Sequence, residues 1–285
     1  MLFLCSYGHG SGIVFRLSRL GIGVFLGLVA MAMWGSAQEG GARNGLPTIV
    51  KSLELPDSVS LVELSNGLTI IVQENHTAPV ATVRCYVKYT GSIYEGQYLG
   101  AGLSHVLEHV VSGGTTTKRS EREIAALIDR FGGKTNAYTT TNFTCYYIDC
   151  PGRNVAEAIE LLADAMQRVK FEPSEFEREL KVVKQELADG EVNRRRVLWK
   201  LLNQTLYLQH PARHPVIGYL DVLNRTSNEA IVDFYRSRYV PNNQLFVVVG
   251  DVNTEEVVKQ IAQEYQGTGR SSETYQSFEE EPPQL

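Results

Sequence analysis

Cysteine is scarce in this chain of 285 residues, and none of its four cysteines belongs to a Cys-x-x-Cys pair. This spacing excludes the usual cysteine-based zinc sites and thioredoxin-type redox motifs. Cys145 and Cys150 are five residues apart in a predicted strand, so their side chains face opposite sides of it and cannot join directly. We therefore predict that they are buried as small apolar side chains.

An excess of positive charge is also missing. The formal net charge is −5, and it becomes −7 if the first 37 residues are removed, because only 25 basic residues then face 32 acidic ones. A moderately acidic body argues against nucleic acid or an anionic membrane as the main partner.

The first 37 residues contain no acidic residue, and their basic residues are Arg16 and Arg19. An apolar run follows at residues 20–34, and small residues then lead to Ala37. This order predicts a secretory signal peptide, residues 1–37, that is cleaved after Ala37. The product would be periplasmic or extracellular, without stable membrane association. An uncleaved anchor is the alternative, because the uncharged stretch is close to the minimum for spanning a bilayer.

Composition divides the remaining 248 residues into three parts. Residues 38–56 are glycine-rich and polar, which predicts a flexible lead. Residues 57–266 are long enough for one large domain with a substantial core. Residues 267–285 have the Gly, Ser, Thr, Gln and Glu content of a linker.

Hydrophobic periodicity predicts strand pairs followed by groups of helices, which is typical of an α+β fold with helices packed on an antiparallel-rich sheet. The predicted strands lie in 63–74 (with a turn at Asn66-Gly67), 81–90, 136–140, 143–150 and 244–249. The predicted helices cover the segment around 105–109, then 119–131, 155–170, 173 to about 208, 227–238 and 255–265.

The strongest chemical signal is the pattern H-x-x-E-H formed by His105, Glu108 and His109. On a helix these positions share one face, and the apolar residues between them occupy the opposite face. Two imidazoles one turn apart can hold zinc, and a carboxylate between them can act on water. The alternative is a solvated polar face, so a third ligand is needed.

Glu179 and Glu186 stack two turns apart along one edge of the long helix that begins at Pro173. Carboxylates beside a buried helix edge are costly unless they are paired or bind a cation. Helix geometry alone favours a solvated face for Glu179.

Glu186 follows His109, the last residue of H-x-x-E-H, by 77 positions. In this spacing the sequence resembles the M16 peptidases. These are the inverzincins of the pitrilysin, insulin-degrading enzyme and mitochondrial processing peptidase group. Residues 132–139 look like the family's G-G-x-x-N-A-x-T strand, and residues 243–252 are similar to the strand that closes its first domain. Residues 111–115 depart from the pattern, since relatives usually have an aromatic residue and one glycine there.

The resemblance implies a zinc-dependent endopeptidase that hydrolyses peptides or small or unfolded proteins through a zinc-activated water. It implies that His105, His109 and Glu186 hold one Zn²⁺ per chain and that Glu108 is the general base. Glu179 matches an acidic position seven residues before the ligand, where it would orient a ligand or the motif helix.

The resemblance also implies that the backbone at Asn136, Ala137 and Tyr138 pairs with an extended substrate by strand addition. From the residues alone, Asn136 could equally start a strand, and Tyr138 could be a packing aromatic.

Relatives combine at least two homologous modules, whereas this sequence shows one. We therefore expect either a fragment or a chain that works with a second module or partner chain. The alternative function is a non-catalytic M16-like subunit or a peptide-binding half. Such a protein would not need Glu108.

Overall fold

The computed structural model describes residues 45–272, residue 278 and residues 281–283. These belong to one unit, residues 40–285. The predicted signal peptide lies outside the described residues, so its cleavage and the export of the chain stay predictions. Within the described residues, every helix is too short or too polar to cross a membrane.

Seven strands form one sheet in the order β1-β2-β3-β7-β4-β6-β5. Neighbouring strands are antiparallel except for the parallel pair β3 and β7. The strands are β1 Ile49–Leu55, β2 Val59–Leu64, β3 Thr69–Glu74, β4 Val80–Lys88, β5 Lys134–Thr139, β6 Phe143–Pro151 and β7 Gln244–Gly250. The predicted α+β class with an antiparallel-rich sheet is confirmed.

Eight α-helices accompany the sheet in the described part of the chain. They are α1 Leu103–Val111, α2 Glu121–Phe131, α3 Val155–Gln167, α4 Pro173–Val192, α5 Arg194–Leu206, α6 Leu220–Leu223, α7 Asn228–Arg238 and α8 Thr254–Glu264. Local chemistry explains several ends. Ser120 and Glu123 form a capping box at the start of α2, and Gly132 ends that helix in a left-handed conformation.

Buried and half-buried side chains alternate along the central strands. In β4, for example, Ala81, Val83, Cys85 and Val87 are buried while the residues between them are half-buried. This alternation places the core on one face of the sheet, where α3 contacts β4 and β6 and α8 contacts β2 and β3. Cys85, Cys145 and Cys150 are free and buried, which confirms the prediction made for Cys145 and Cys150.

The predicted flexible lead is wrong over residues 49–55, which form β1. All seven residues of this edge strand are exposed, so no buried face marks it in the sequence. It is held instead by antiparallel backbone pairing with β2 from Leu55↔Val59 to Ile49↔Leu64.

The single long helix predicted from Pro173 toward Leu208 is also wrong, because it breaks at Asn193. Asn193 has an extended backbone, and its side-chain oxygen accepts hydrogen bonds from the amides of Arg195 and Arg196. An asparagine that caps free amides can start a new helix. Helix α4 therefore ends at Val192, and α5 begins at Arg194.

Candidate metal centre

Helix α1 carries the motif as its periodicity predicts. Its apolar residues are buried, whereas His105, Glu108 and His109 are half-buried on the opposite side. The helix begins after Gly102, which has a φ of 71°. A Cβ at this position would lie 2.3 Å from the carbonyl oxygen of Ile217, so only glycine fits here without displacing the backbone.

Helix α4 packs against α1 and brings Glu186 to the two histidines. Oε2 of Glu186 lies 3.5 Å from Nε2 of His105 and 3.8 Å from Nε2 of His109. One ligand atom from each of these three residues lies within 4.8 Å of the others. Tetrahedral zinc with bonds of about 2.0–2.1 Å separates its ligands by about 3.3 Å. The donor set therefore suits a zinc ion, and the two distances from Glu186 lie close to this spacing.

Glu179 contacts His109 at the ring nitrogen opposite the one that faces Glu186. Its Oε2 lies 3.4 Å from Nδ1 of His109, and its Oε1 accepts a hydrogen bond from Nε of Arg178 at 3.0 Å. The solvated-face interpretation that helix geometry favoured for Glu179 is therefore wrong. In contrast, Nδ1 of His105 is buried and has no hydrogen-bond partner among the described residues.

Burial controls the protonation of this site. Desolvation, together with the charges of His109 and Arg196, lowers the pKa of His105 to about 4. At neutral pH its imidazole is therefore uncharged and can donate an electron pair to a metal. Desolvation also raises the pKa of Glu108, while a hydrogen bond from Thr139 acts against this shift. A carboxylate with a raised pKa is a better base near neutral pH.

A buried carboxylate accepts hydrogen bonds from the backbone amides at the start of α1. No sequence pattern predicted it. Glu95 is only 2% exposed, and its two oxygens accept hydrogen bonds of 3.0 Å from the amides of Gly102 and Ser104. Desolvation raises the pKa of Glu95 to about 7, and the backbone hydrogen bonds only partly offset this effect. The residue escaped prediction because it lies outside any predicted helix or strand.

His105 and Glu186 line an open cleft of about 710 Å³. Glu108, Tyr138 and Thr139 line one part of it, and residues from α5 and residues 215–217 line the rest. Four of these lining residues were not predicted to belong to the site: Thr139, Arg195, Arg196 and Trp199. The run of three arginines directly after α4 was the available signal in the sequence, but its position relative to the cleft depended on the break at Asn193.

Strand β5 forms one edge of the sheet, next to β6. Asn136 is exposed, and its Oδ1 accepts a hydrogen bond of 2.9 Å from the amide of Ala137. Tyr138 reaches the cleft, but it also packs edge-on against Phe143 with ring centroids 6.1 Å apart. Asn136 and Ala137 lie along the edge strand, outside the cleft lining.

The sequence matches the models of a known protein family over most of its length. Residues 69–219 match the model of Insulinase (Peptidase family M16), and residues 226–285 match that of the Peptidase M16 inactive domain. A Bacillus subtilis protein named uncharacterized zinc protease YmxG is 30% identical over 188 residues, which make up 66% of this chain and 45% of the relative.

Two further relatives resemble the chain over similar lengths. The probable mitochondrial-processing peptidase subunit beta of Arabidopsis thaliana is 30% identical over 70% of this chain and 37% of its own. A crystal structure of a protease from Helicobacter pylori matches with a TM-score of 0.72 and 26% identity, covering 83% of this chain and 55% of that one. The chain thus spans about half the length of these relatives. It belongs to peptidase family M16.

Proposed function

We propose that this chain is the zinc-binding half of an exported M16 endopeptidase that cleaves peptides or small or unfolded proteins. The observation that carries the proposal is the convergence of His105, His109 and Glu186, with Glu108 lining the same cleft. The zinc-protease names of the relatives agree with this chemistry.

Each residue would have a distinct task in hydrolysis. His105, His109 and Glu186 would hold zinc, which supplies Lewis-acid polarisation of a peptide carbonyl and of water. Glu108 would take the proton from the attacking water and pass it to the leaving amine. Its raised pKa suits both transfers. Glu179 would hold the ring of His109 by accepting the proton on Nδ1, leaving Nε2 free for the metal.

The free edge of β5 would bind an extended substrate by strand addition. The amide of Ala137 is already bonded to the side chain of Asn136. An incoming strand would exchange this local bond for an intermolecular one, so Asn136 would protect the edge when no substrate is present.

The alternative is a peptide-binding half that becomes active only with a second module or partner chain. The match of residues 226–285 to the M16 inactive domain, together with the half-length coverage of the relatives, favours a second module. This proposal retains the same zinc site and differs only in whether the chain is sufficient for cleavage.

The test measures bound zinc and peptide hydrolysis together on the chain and its Glu108→Gln variant. Zinc in both proteins with cleavage only in the unmodified chain would support a self-sufficient peptidase. Zinc without cleavage in either would support the dependent half. Absence of zinc binding would refute both proposals.

A further inference from the structure

Two arginines of helix α5 line the cleft beside the metal ligands. The first turn of the helix contains Arg194, Arg195 and Arg196, but only Arg195 and Arg196 belong to the cleft wall. Nη1 of Arg196 lies 3.5 Å from the backbone carbonyl oxygen of Glu186. Of the two, Arg196 therefore contacts helix α4 directly.

Neither arginine forms an ion pair with a carboxylate in the part of the chain that the structure describes. The third cation of the cleft, Lys200, differs in this respect because its Nζ lies 2.7 Å from Glu191. Both arginines are exposed residues. Apart from the bond from Nη1 of Arg196 to the carbonyl oxygen of Glu186, their guanidinium groups can bind a ligand. A planar guanidinium binds a carboxylate through two parallel hydrogen bonds, which gives both strength and geometric selectivity.

The charge balance of the cleft favours a negative ligand. Its acidic lining residues are Glu108 and Glu186. A divalent zinc ion would offset these two charges, so the arginines would dominate the field that a substrate meets. The neighbouring wall offers apolar area as well, since Trp199 is 55% exposed and Ile217 belongs to the same lining.

We propose that Arg195 and Arg196 form a specificity subsite that binds an aspartate or glutamate side chain of the substrate peptide close to the scissile bond. This inference rests on the proposed peptidase function and adds the class of substrate: acidic peptides with a large apolar residue near the acidic one. The apolar neighbour would pack on Trp199, and the carboxylate would pair with the two guanidinium groups.

The experiment uses the full chain loaded with zinc and two fluorescent peptide sets. In one set a glutamate is moved through each of three positions on either side of a central bond, and in the other glutamine takes its place. Cleavage is measured with the unmodified chain, and binding is measured by fluorescence anisotropy with the Glu108→Gln variant. Arg195→Gln is the test substitution. Arg194→Gln is the matched control, because it removes the same charge one residue away from the cleft wall.

We expect a glutamate at one or two positions to improve kcat/KM and binding by about tenfold over glutamine, the usual size of a charge-assisted contact. Arg195→Gln should remove most of this preference without weakening the glutamine peptide, whereas Arg194→Gln should keep it. A circular dichroism melt of each variant verifies folding. The preference should also shrink as salt is raised from about 0.05 M to about 0.5 M, because exposed charges are screened.

The outcomes separate this inference from the proposed function. Cleavage or binding with equal strength for the glutamate and glutamine sets would overturn the subsite and leave the peptidase proposal standing. A preference that survives in Arg195→Gln, or no binding of either set, would also overturn the subsite, and the arginines would then be candidates for pairing with a protein partner. A preference seen in binding without any cleavage would support the subsite and count against a self-sufficient peptidase.

Discussion

Oε2 of Glu179 lies 3.4 Å from Nδ1 of His109, while Nε2 of the same ring lies 3.8 Å from Glu186. One imidazole therefore connects two carboxylates that are two turns apart on α4. A carboxylate that accepts the proton of one ring nitrogen fixes the tautomer and leaves the other nitrogen available to a metal. The role proposed for Glu179 can therefore be measured separately from that of the three proposed zinc ligands.

Replacing Glu179 with glutamine should weaken zinc binding about 10- to 100-fold, because His109 loses its charged orienting partner. Competition titration with a chromogenic chelator measures the effect. Glu177→Gln is the control, since Glu177 lies on the same helix, is exposed and carries the same charge. Equal zinc affinities in the two variants would show that Glu179 does not orient the ligand.

Replacing Gly102 with alanine should destabilise the protein by about 2–4 kcal/mol. The new Cβ would clash with the carbonyl oxygen of Ile217, and alanine would also have to adopt a positive φ. Gly113→Ala separates the two effects. Gly113 has a φ of 82°, but nothing lies within 4 Å of the position that its Cβ would take, so only the conformational cost of about 1 kcal/mol remains. Urea unfolding of both variants gives the comparison, and equal losses would contradict the predicted clash.

Glu95 should make stability depend on pH. Since burial raises its pKa from 4.5 to about 7 in the folded chain, the folded state binds more protons than the unfolded state between these values. The contribution of Glu95 to the free energy of unfolding therefore falls as pH rises from about 4.5 to 7, by at most about 3 kcal/mol. His105 acts in the opposite direction, because its pKa is lowered to about 4 and its contribution to the free energy of unfolding grows with rising pH.

The Glu95→Gln variant isolates this effect, because glutamine has the same shape and does not titrate. Urea unfolding of the metal-free proteins from about pH 4.5 to about pH 8 should show a difference between the unmodified chain and the variant that changes steadily up to about pH 7. A difference that stays constant with pH would mean that Glu95 keeps its ordinary pKa.

The predicted signal peptide gives a direct test of export. In a secreting host, N-terminal sequencing of the recovered protein should begin at Gln38, immediately after Ala37. Replacing Ala37 with a bulky residue such as leucine should block processing and hold the protein in the membrane fraction. An unmodified protein that keeps its N-terminus in the membrane fraction would favour the uncleaved anchor.

Local chemistry made several elements predictable. The capping box at Ser120 marks the start of helix α2, and Gly132 marks its end. Both observed ends lie within two residues of the predicted ones. By contrast, β1 escaped detection because it has no buried face, and its pairing with β2 exists only in the assembled sheet. The break at Asn193 was missed because apolar periodicity continues on both sides of it.

The family, the α+β class and the motif face of α1 follow from the amino-acid sequence alone, because helix periodicity is a local property and two histidines and a glutamate at characteristic spacing leave few alternatives. Three-dimensional packing was needed to show how α4 approaches α1, which side of His109 each glutamate contacts, and that Glu95 is buried under the start of α1. Packing also places Arg195 and Arg196, but not Arg194, in the lining of the cleft. These relationships depend on how separate elements pack against one another, which no local pattern encodes.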